Sequence, residues 1–508
     1  MSKPLDIVIL GGGTAGWMAA MALVSFIPRG RCRVRLVESE EIGIVGVGEA
    51  TLPQIKNFND SIGVNEAEMM RATKATIKLG IEFVDWGAKG SKYIHPFGVH
   101  GPADMAHIFH HRWLRSVLQG GKSGIEDYSF AVQAARHGRF DFPEADSSKI
   151  ESTYAYAYHF DAGLYSLFLR RLAEQRGATR TEGKVREVVQ DPESGDIRSL
   201  VLESGETIFG DFFVDCSGFR SLLLDKTLGV GWEDWSKWLV CDRALAVPSE
   251  NDELTPFTRS TAMEAGWRWR IPLQHRTGNG YVFSSNFIDE DAATDELLRS
   301  LETKTLAEPR LLKFQAGRRV VSWEKNCVAI GLSSGFLEPL ESTSIYLIQV
   351  AALQLLPLLP GNHLDHRLRD EYNRLIDKEY ERIRDFLILH YKLNQRDDAE
   401  IWRYCAEMEV PDSLSRKIEL FRHSAFIERY HGLFSPPSWL SVFIGQGLMP
   451  EGYSPFAETM PQDKLDAFLD GLRSEIDDKV QKLPRHDQFI ARYCAEAPAE
   501  SISEEVQL

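Results

Sequence analysis

A chain of 508 residues, 43% hydrophobic and 26% charged, can bury a large core and has the balance of a soluble globular protein of two to four structural units. Its formal net charge of −16 removes the basic footprint that nucleic-acid binding needs and weighs against an anionic membrane surface.

In chain order, the apolar run Leu5–Leu10 predicts a strand ending at Gly11-Gly12-Gly13. Ala15 to Phe26 reads as a helix and Arg33–Val37 as a second strand ending at Glu38, the opening βαβ unit of a dinucleotide fold. Gly183–Gln190 and Ile197–Glu203 read as strands joined at the Ser-Gly turn 194–195, and Thr207–Asp215 as a further strand closed by Cys216-Ser217-Gly218. Segments 267–273 and 280–287 have the aromatic alternation of antiparallel strands. Leu368, Tyr372, Ile376, Ile383 and Leu387 recur at helical spacing, which predicts a long amphipathic helix over 363–391. The remainder, with Pro436-Pro437 as a breaker, reads as helices and loops, and the acidic tail from Ala495 as frayed.

Six scattered cysteines (Cys32, Cys216, Cys241, Cys327, Cys405, Cys494) form neither a disulfide framework nor a zinc site, which suits a reducing compartment. The N-terminal segment has no secretory h-region, and the longest apolar stretch, Ile345 to Leu359, is interrupted by Gln349 and Gln354. The expectation is a cytoplasmic protein with no nucleic-acid or membrane partner; a homodimer is compatible with the sequence.

Gly11-x-Gly13-x-x-Gly16 follows a strand and opens a helix, the context in which glycines admit backbone N–H groups and a helix N-terminus to a pyrophosphate. Glu38 is placed for the adenosine ribose. The later strand end Asp215-Cys216-Ser217-Gly218 favours FAD over NAD, as in two-part flavoproteins.

Lys78, in Ile77-Lys78-Leu79-Gly80, sits in an apolar setting where an ammonium is costly unless it has a task, and a desolvated lysine can work as a neutral amine. Lys74, one turn away, competes for the same role. Glu341 and Glu338 share the segment Glu338–Thr343, and either could be the reacting carboxylate with the other structural. Five histidines crowd 95–111, yet no carboxylate partner makes the i,i+4 pair His107 and His111 a metal site, and no metal is expected.

Five segments occur in the order found in flavin-dependent tryptophan halogenases: Gly11–Trp17, Gly46–Thr51, the Lys78 segment, Trp267–Pro272 (WRWRIP) and Gly335–Thr343 (GFLEPLEST). The resemblance runs from residue 3 to about residue 450. It implies an α/β (α+β) fold: a two-part FAD-binding, Rossmann-like flavoprotein monooxygenase-type fold with a mainly helical C-terminal substrate module. Residues 1–360 would form the FAD-binding part, with substrate-side insertions near 85–150 and 225–300; 361–495 the helical module; and 496–508 the tail.

The implied activity converts halide and oxygen, with FADH2 from a separate flavin reductase, into hypohalous acid that Lys78 delivers to an electron-rich aromatic substrate. Lys78 would hold the acid by hydrogen bond or form a haloamine, and Glu341 would pair with it. The amides of Thr343 and Ser344 would bind the halide, with Ser344 standing where many relatives have glycine. Gly11, Gly13, Thr14, Ala15, Gly16, Glu38, Ala50, Val185, Leu332 and Ile345 would contact FAD. Trp267, Trp269, Ile271 and Pro272 would screen the flavin so that only halide reaches it. His95, Phe97 and Phe434 would line the substrate pocket, with Phe97 sandwiching the ring.

Tryptophan-specific members carry a lid with adjacent tyrosines, a glutamate and a Phe-Trp pair. Here Arg422–Phe434 is compact, with Glu428, Tyr430 and Phe434 as partial substitutes, so indole or an indole without a free amino-acid group is expected as substrate. A flavin-dependent aromatic hydroxylase shares the fold but does not need Lys78 and would be hindered by the tryptophans. A non-catalytic flavin-binding protein explains the glycines alone.

Overall fold

A computed structural model describes residues 3–41, 48–359, 365–429 and 432–494. Strand Leu5–Leu10 lies at the centre of a six-stranded sheet, parallel to Phe212–Asp215 on one side and Cys32–Glu38 on the other. Thr179–Glu182 extends this sheet in parallel beyond Cys32–Glu38. The connecting helix Thr14–Phe26 is apolar on nearly every face because it is sandwiched, as such a crossover helix must be, between that sheet and helices Ala162–Gln175 and Thr343–Leu358.

Two expected strands are interrupted, each at a glycine. The run 207–215 divides at Gly210-Asp211: Thr207–Phe209 belongs to a three-stranded antiparallel meander, while Phe212–Asp215 joins the six-stranded sheet. A Cβ on Gly210 would lie 2.8 Å from Val8, and the Asp211 amide donates to the Asp6 carbonyl, so the chain changes partner there. The run 183–190 likewise begins only at Val185, because Gly183, at φ 157°, donates to the Glu38 carbonyl and ends the preceding strand Thr179–Glu182.

A seven-stranded sheet, almost wholly antiparallel, stands beside the first and carries the tryptophan strand Gly266–Pro272 between Thr277–Phe283 and Thr258–Ala262. Its far edge, Gly80–Val84 paired with Lys92–Pro96, supplies His95. A small sheet, Gly48–Ala50, Ala157–Asp161 and Thr76–Lys78, holds Lys78 opposite Ala157.

The long helix His366–Lys392 packs on Thr343–Leu358, and its last turns bury Phe386, His390 and Tyr391. Pro436-Pro437 do not break structure; they open helix Pro436–Gly445, where missing N–H groups cost nothing. Helix Gln462–Val480 packs against Phe109–Leu118 and Phe130–Arg136, so the C-terminal helices share one hydrophobic core with the rest. None of the described helices is long and apolar enough to cross a membrane.

Candidate functional site

The glycine turn is built for close approach. Gly11 has φ 112°, and a Cβ there would meet the Cys216 carbonyl oxygen at 2.2 Å; one on Gly16 would meet the Gly11 oxygen at 1.8 Å. Gly12, outside the expected triplet, is just as constrained, since its Cβ would lie 1.4 Å from Glu38 Oε2. Gly13 faces open space, the position where a pyrophosphate would need the backbone bare. Glu38 is held by Arg180 and, at 3.6 Å, by Arg170.

From this turn a cavity of about 910 Å³ runs along the first sheet, past Thr14, Ala15, Ala50, Val185, Leu332 and Ile345, to Trp267, Trp269 and Ile271. Glu341, Ser342, Thr343 and Ser344 also line it. Volume, glycine cradle, acid and apolar wall together fit FAD. Gly16 and Pro272 do not line the cavity: Gly16 packs the helix onto the turn, and the Pro272 carbonyl accepts from Thr76 Oγ1 at 2.6 Å. Asp215 is structural, its carboxylate taking the amides of Ser217, Leu223 and Leu224. Gly46 and Val47 of the second motif lie outside the described residues.

Trp267 and Trp269 stand 6.2 Å apart between centroids, both buried, with indole N–H groups that find no partner among the described residues. Gly280 on the neighbouring strand makes this wall fit, since a Cβ there would come within 2.0 Å of the Trp269 ring.

Lys78 has no exposed surface. Its ammonium donates to the Thr51 carbonyl at 3.0 Å and to Ser342 Oγ at 2.9 Å, and its Nζ lies 5.1 Å from the centre of the Phe97 ring. Burial pushes its pKa down to about 7, against the pull of the Glu341 charge. Lys74, by contrast, is exposed at the left-handed end of helix Glu66–Thr73 and takes no part; the intervening chain turns into a strand, so the two lysines are not one helical turn apart.

Glu341 does not pair directly with Lys78. Both its oxygens face His95 Nδ1, at 2.8 and 2.9 Å, and Oε1 also faces His390 Nε2 at 2.9 Å. With its oxygens engaged by two imidazoles, the link to Lys78 passes instead through the next residue, Ser342. Burial would push the Glu341 carboxyl up, but the charges and hydrogen bonds of His95 and His390 outweigh it and hold the pKa at about 2. Glu338 goes the other way. Burial pushes it to about 8; among the described residues its carboxyl takes a hydrogen bond from Tyr391 at 3.2 Å and its Oε1 has no partner. Two carboxyls three residues apart thus differ in charge at neutral pH.

Glu341 and Ser342 adopt left-handed backbone, φ 64° and 58°, immediately before helix Thr343–Leu358. Ser342 occupies the N-cap but makes no side-chain cap, its hydroxyl being occupied by Lys78. The first-turn amides at Thr343 and Ser344 therefore lie at an uncapped, positive helix end that opens on the cavity. Ser344 sits within the helix and its φ is not positive, so a side chain there carries no strain.

His95, Phe97 and Phe434 converge behind this seam: His95 lies 6.5 Å from Phe97 and 6.2 Å from Phe434, ring to ring. Phe434 stacks on Phe386 at 3.8 Å. The sequence reading missed Phe386 and His390, which helical periodicity alone marks as ordinary buried residues. Among the other histidines, His110 meets the Ala425 carbonyl and His111 accepts from the Ser454 amide.

The tryptophan halogenase profile matches residues 6–462. The chain belongs to that family. It is 33% identical to tryptophan 7-halogenase RebH of Lentzea aerocolonigenes, over 96% of this chain and 99% of that one. Among solved structures it is similar to BrvH, a flavin-dependent halogenase from Brevundimonas sp. BAL3 (45% identity, 97% of this chain and 100% of that, TM-score 0.93). It is equally similar to Xcc4156, a flavin-dependent halogenase from Xanthomonas campestris (46% identity, 98% and 100%, TM-score 0.93). As a flavin-dependent halogenase the protein is an oxidoreductase that uses FADH2 from a separate flavin reductase, a halide and an aromatic substrate. The aromatic hydroxylase reading is not favoured.

Proposed function

We propose that the protein halogenates indole, or an indole without a free amino-acid group, through Lys78. Reduced FAD and oxygen supply the oxidising equivalents that turn halide into hypohalous acid. The amides of Thr343 and Ser344 hold the halide at the cavity end. Trp267, Trp269 and Ile271 keep the organic substrate on the other side. Lys78, with Ser342 and the Thr51 carbonyl fixing its amine, presents the halogen to a ring stacked against Phe97, and Glu341 stabilises positive charge and accepts the ring proton. In this reading residues 1–360 form the flavin part and 361–495 complete the substrate side.

One observation carries the proposal: a lysine without exposed surface, lowered by burial to about 7, is hydrogen-bonded to the residue that separates Glu341 from the uncapped helix end. Such an amine is largely unprotonated just above neutral pH and has no structural ion pair to maintain.

The choice of indole over tryptophan rests on Arg422–Phe434. Glu428 pairs with Arg416 at 3.1 Å in a partly exposed ion pair, and Phe434 is stacked on Phe386, so both already face partners within this chain. Tyr430 lies outside the described residues. An ammonium or carboxylate brought in without partners is penalised by several kcal/mol. Bromide is expected to work at least as well as chloride, being the more easily oxidised. The test incubates the protein with FAD, a flavin reductase, NADH, bromide and equal concentrations of indole and L-tryptophan, scored by the bromine isotope doublet. Brominated indole should dominate. A preference for tryptophan would overturn the substrate assignment, and a product gaining oxygen would overturn the halogenation reading.

A further inference from the structure

The His390 ring is buried and hydrogen-bonded at both nitrogens. Nδ1 lies 2.8 Å from the Phe386 carbonyl oxygen, one turn back along its own helix, and Nε2 lies 2.9 Å from Glu341 Oε1. A carbonyl only accepts, so Nδ1 carries a hydrogen. With both His390 Nε2 and the Glu341 carboxyl unprotonated, two lone pairs would face each other across 2.9 Å, so one proton lies between them. His95 adds a second donor, its Nδ1 facing both Glu341 oxygens. The three groups are satisfied only with three hydrogens among them, one more than a carboxylate and two neutral imidazoles hold.

We infer that His390 is a positioning residue for Glu341: it carries hydrogens on both ring nitrogens, holds the carboxylate ionised and partly offsets its charge, so that Glu341 faces the imidazoles and does not pair directly with Lys78. This rests on the proposed role of Lys78. It accounts for a carboxylate with 1% exposure that makes no contact with the nearby ammonium. The ring is fixed on its other sides by Phe83, Trp86 and Phe386, at 4.9, 6.1 and 5.0 Å between centroids, and Gln446 donates to its backbone carbonyl.

The remaining polar groups around the pair do not supply the missing positive charge. Tyr93 is held neutral by burial, opposed by a Gln446 hydrogen bond and reinforced by the Glu341 charge. His159, near Lys78, is driven well below its usual pKa by burial and by the lysine. Glu338 and Tyr391, on the flanking turns, are neutral at pH 7. His95 is the other imidazole on the carboxylate, and Lys78 acts through Ser342.

Removing the charge on His390 should therefore raise the pKa of Glu341 and, by leaving more negative charge near it, that of Lys78. Both groups act deprotonated in the proposed chemistry, so activity is lost on the acid side at higher pH than in the wild type. The experiment measures kcat/KM for indole bromination against pH in wild type, His390→Gln and His390→Phe. The acid limb should move up by on the order of 1–3 pH units, with glutamine, which still donates but carries no charge, shifting less than phenylalanine. A uniform fall in kcat with an unmoved limb in the glutamine variant would overturn the inference and leave His390 a packing residue. FAD titration shows whether each variant is folded; should phenylalanine fail to fold, the glutamine variant decides. Nitrogen-15 histidine NMR reads the same point without turnover. A resonance pair with both nitrogens protonated near neutral pH, present in wild type and absent from His390→Gln, is the expected result, and a neutral tautomer in wild type refutes the inference. Wild-type protein that brominates no indole would instead refute the proposed function.

Discussion

Replacing Lys78 with methionine should abolish halogenation and stabilise the fold. The side chain is fully buried, and the fall of its pKa from 10.5 to about 7 reports how poorly the site tolerates an ammonium. Each pH unit of difference is worth about 1.4 kcal/mol, so the burden is about 5 kcal/mol in acid and about 4 kcal/mol at pH 7. Methionine removes it and fills a similar volume, but it strands the Thr51 carbonyl and frees the Ser342 hydroxyl, which offsets about 1–3 kcal/mol. The net expectation is a gain of about 1–3 kcal/mol at neutral pH. The sign is fixed by proton binding. Between the folded and unfolded pKa values the unfolded wild type holds a proton that the native state lacks, so wild-type stability rises with pH there. The advantage of methionine is thus full below about pH 7 and fades towards 10.5. Thermal unfolding of both proteins without FAD across that range is the assay. Equal stability in acid, or a gap that widens with pH, would refute the claim that Lys78 is held against its preferred charge state.

Glu341→Gln should lower kcat on the order of 10²–10³-fold while FAD binding, followed by fluorescence titration, is unchanged. Glu338→Gln should cost far less chemistry, because an amide replaces a carboxyl that burial already keeps neutral; the reverse order would swap the two roles. A Cβ at Gly280 would meet the Trp269 ring at 2.0 Å and the Leu245 carbonyl oxygen at 2.5 Å, so Gly280→Ala should displace this part of the wall and divert turnover from brominated to oxygenated indole, seen as the product ratio by mass spectrometry. An unchanged ratio with normal folding would mean that the Trp269 face does not screen the flavin.

Much of this site was legible because its chemistry rides on local sequence. The glycine turn follows its strand directly, Lys78 sits among apolar neighbours, and the tryptophans alternate on one strand. What was not legible depends on long-range meetings. His390 lies 49 residues from Glu341, inside a helix whose periodicity marks it only as buried, and nothing local says that a carboxylate waits there. Local residues left the choice between Glu338 and Glu341 open, and only the family resemblance pointed to Glu341: both share one short segment, and only their surroundings make one an anion and the other an acid. The missed strand breaks at Gly183 and Gly210 have a simpler origin. A glycine inside an apolar run permits a change of partner, but the contacts with Glu38 and Val8 that force the change come from elsewhere in the chain.

In the proposed function, the position of Ser342 joins the halide end to the lysine end. A serine at a helix N-cap ordinarily turns its oxygen onto the first-turn amides, a contact worth about 1 kcal/mol. Here Glu341 and Ser342 are both left-handed, a conformation that costs non-glycine residues about 1–3 kcal/mol each and persists only where the surroundings impose it. The turn carries the Ser342 hydroxyl to Lys78 and the Glu341 carboxylate to His95 and His390. In the proposed function this leaves the amides of Thr343 and Ser344 for the halide. The same two-residue turn fixes the lysine, charges the glutamate and uncaps the helix. Relaxing it to an ordinary cap would, in the proposed function, close the halide site and release the lysine together.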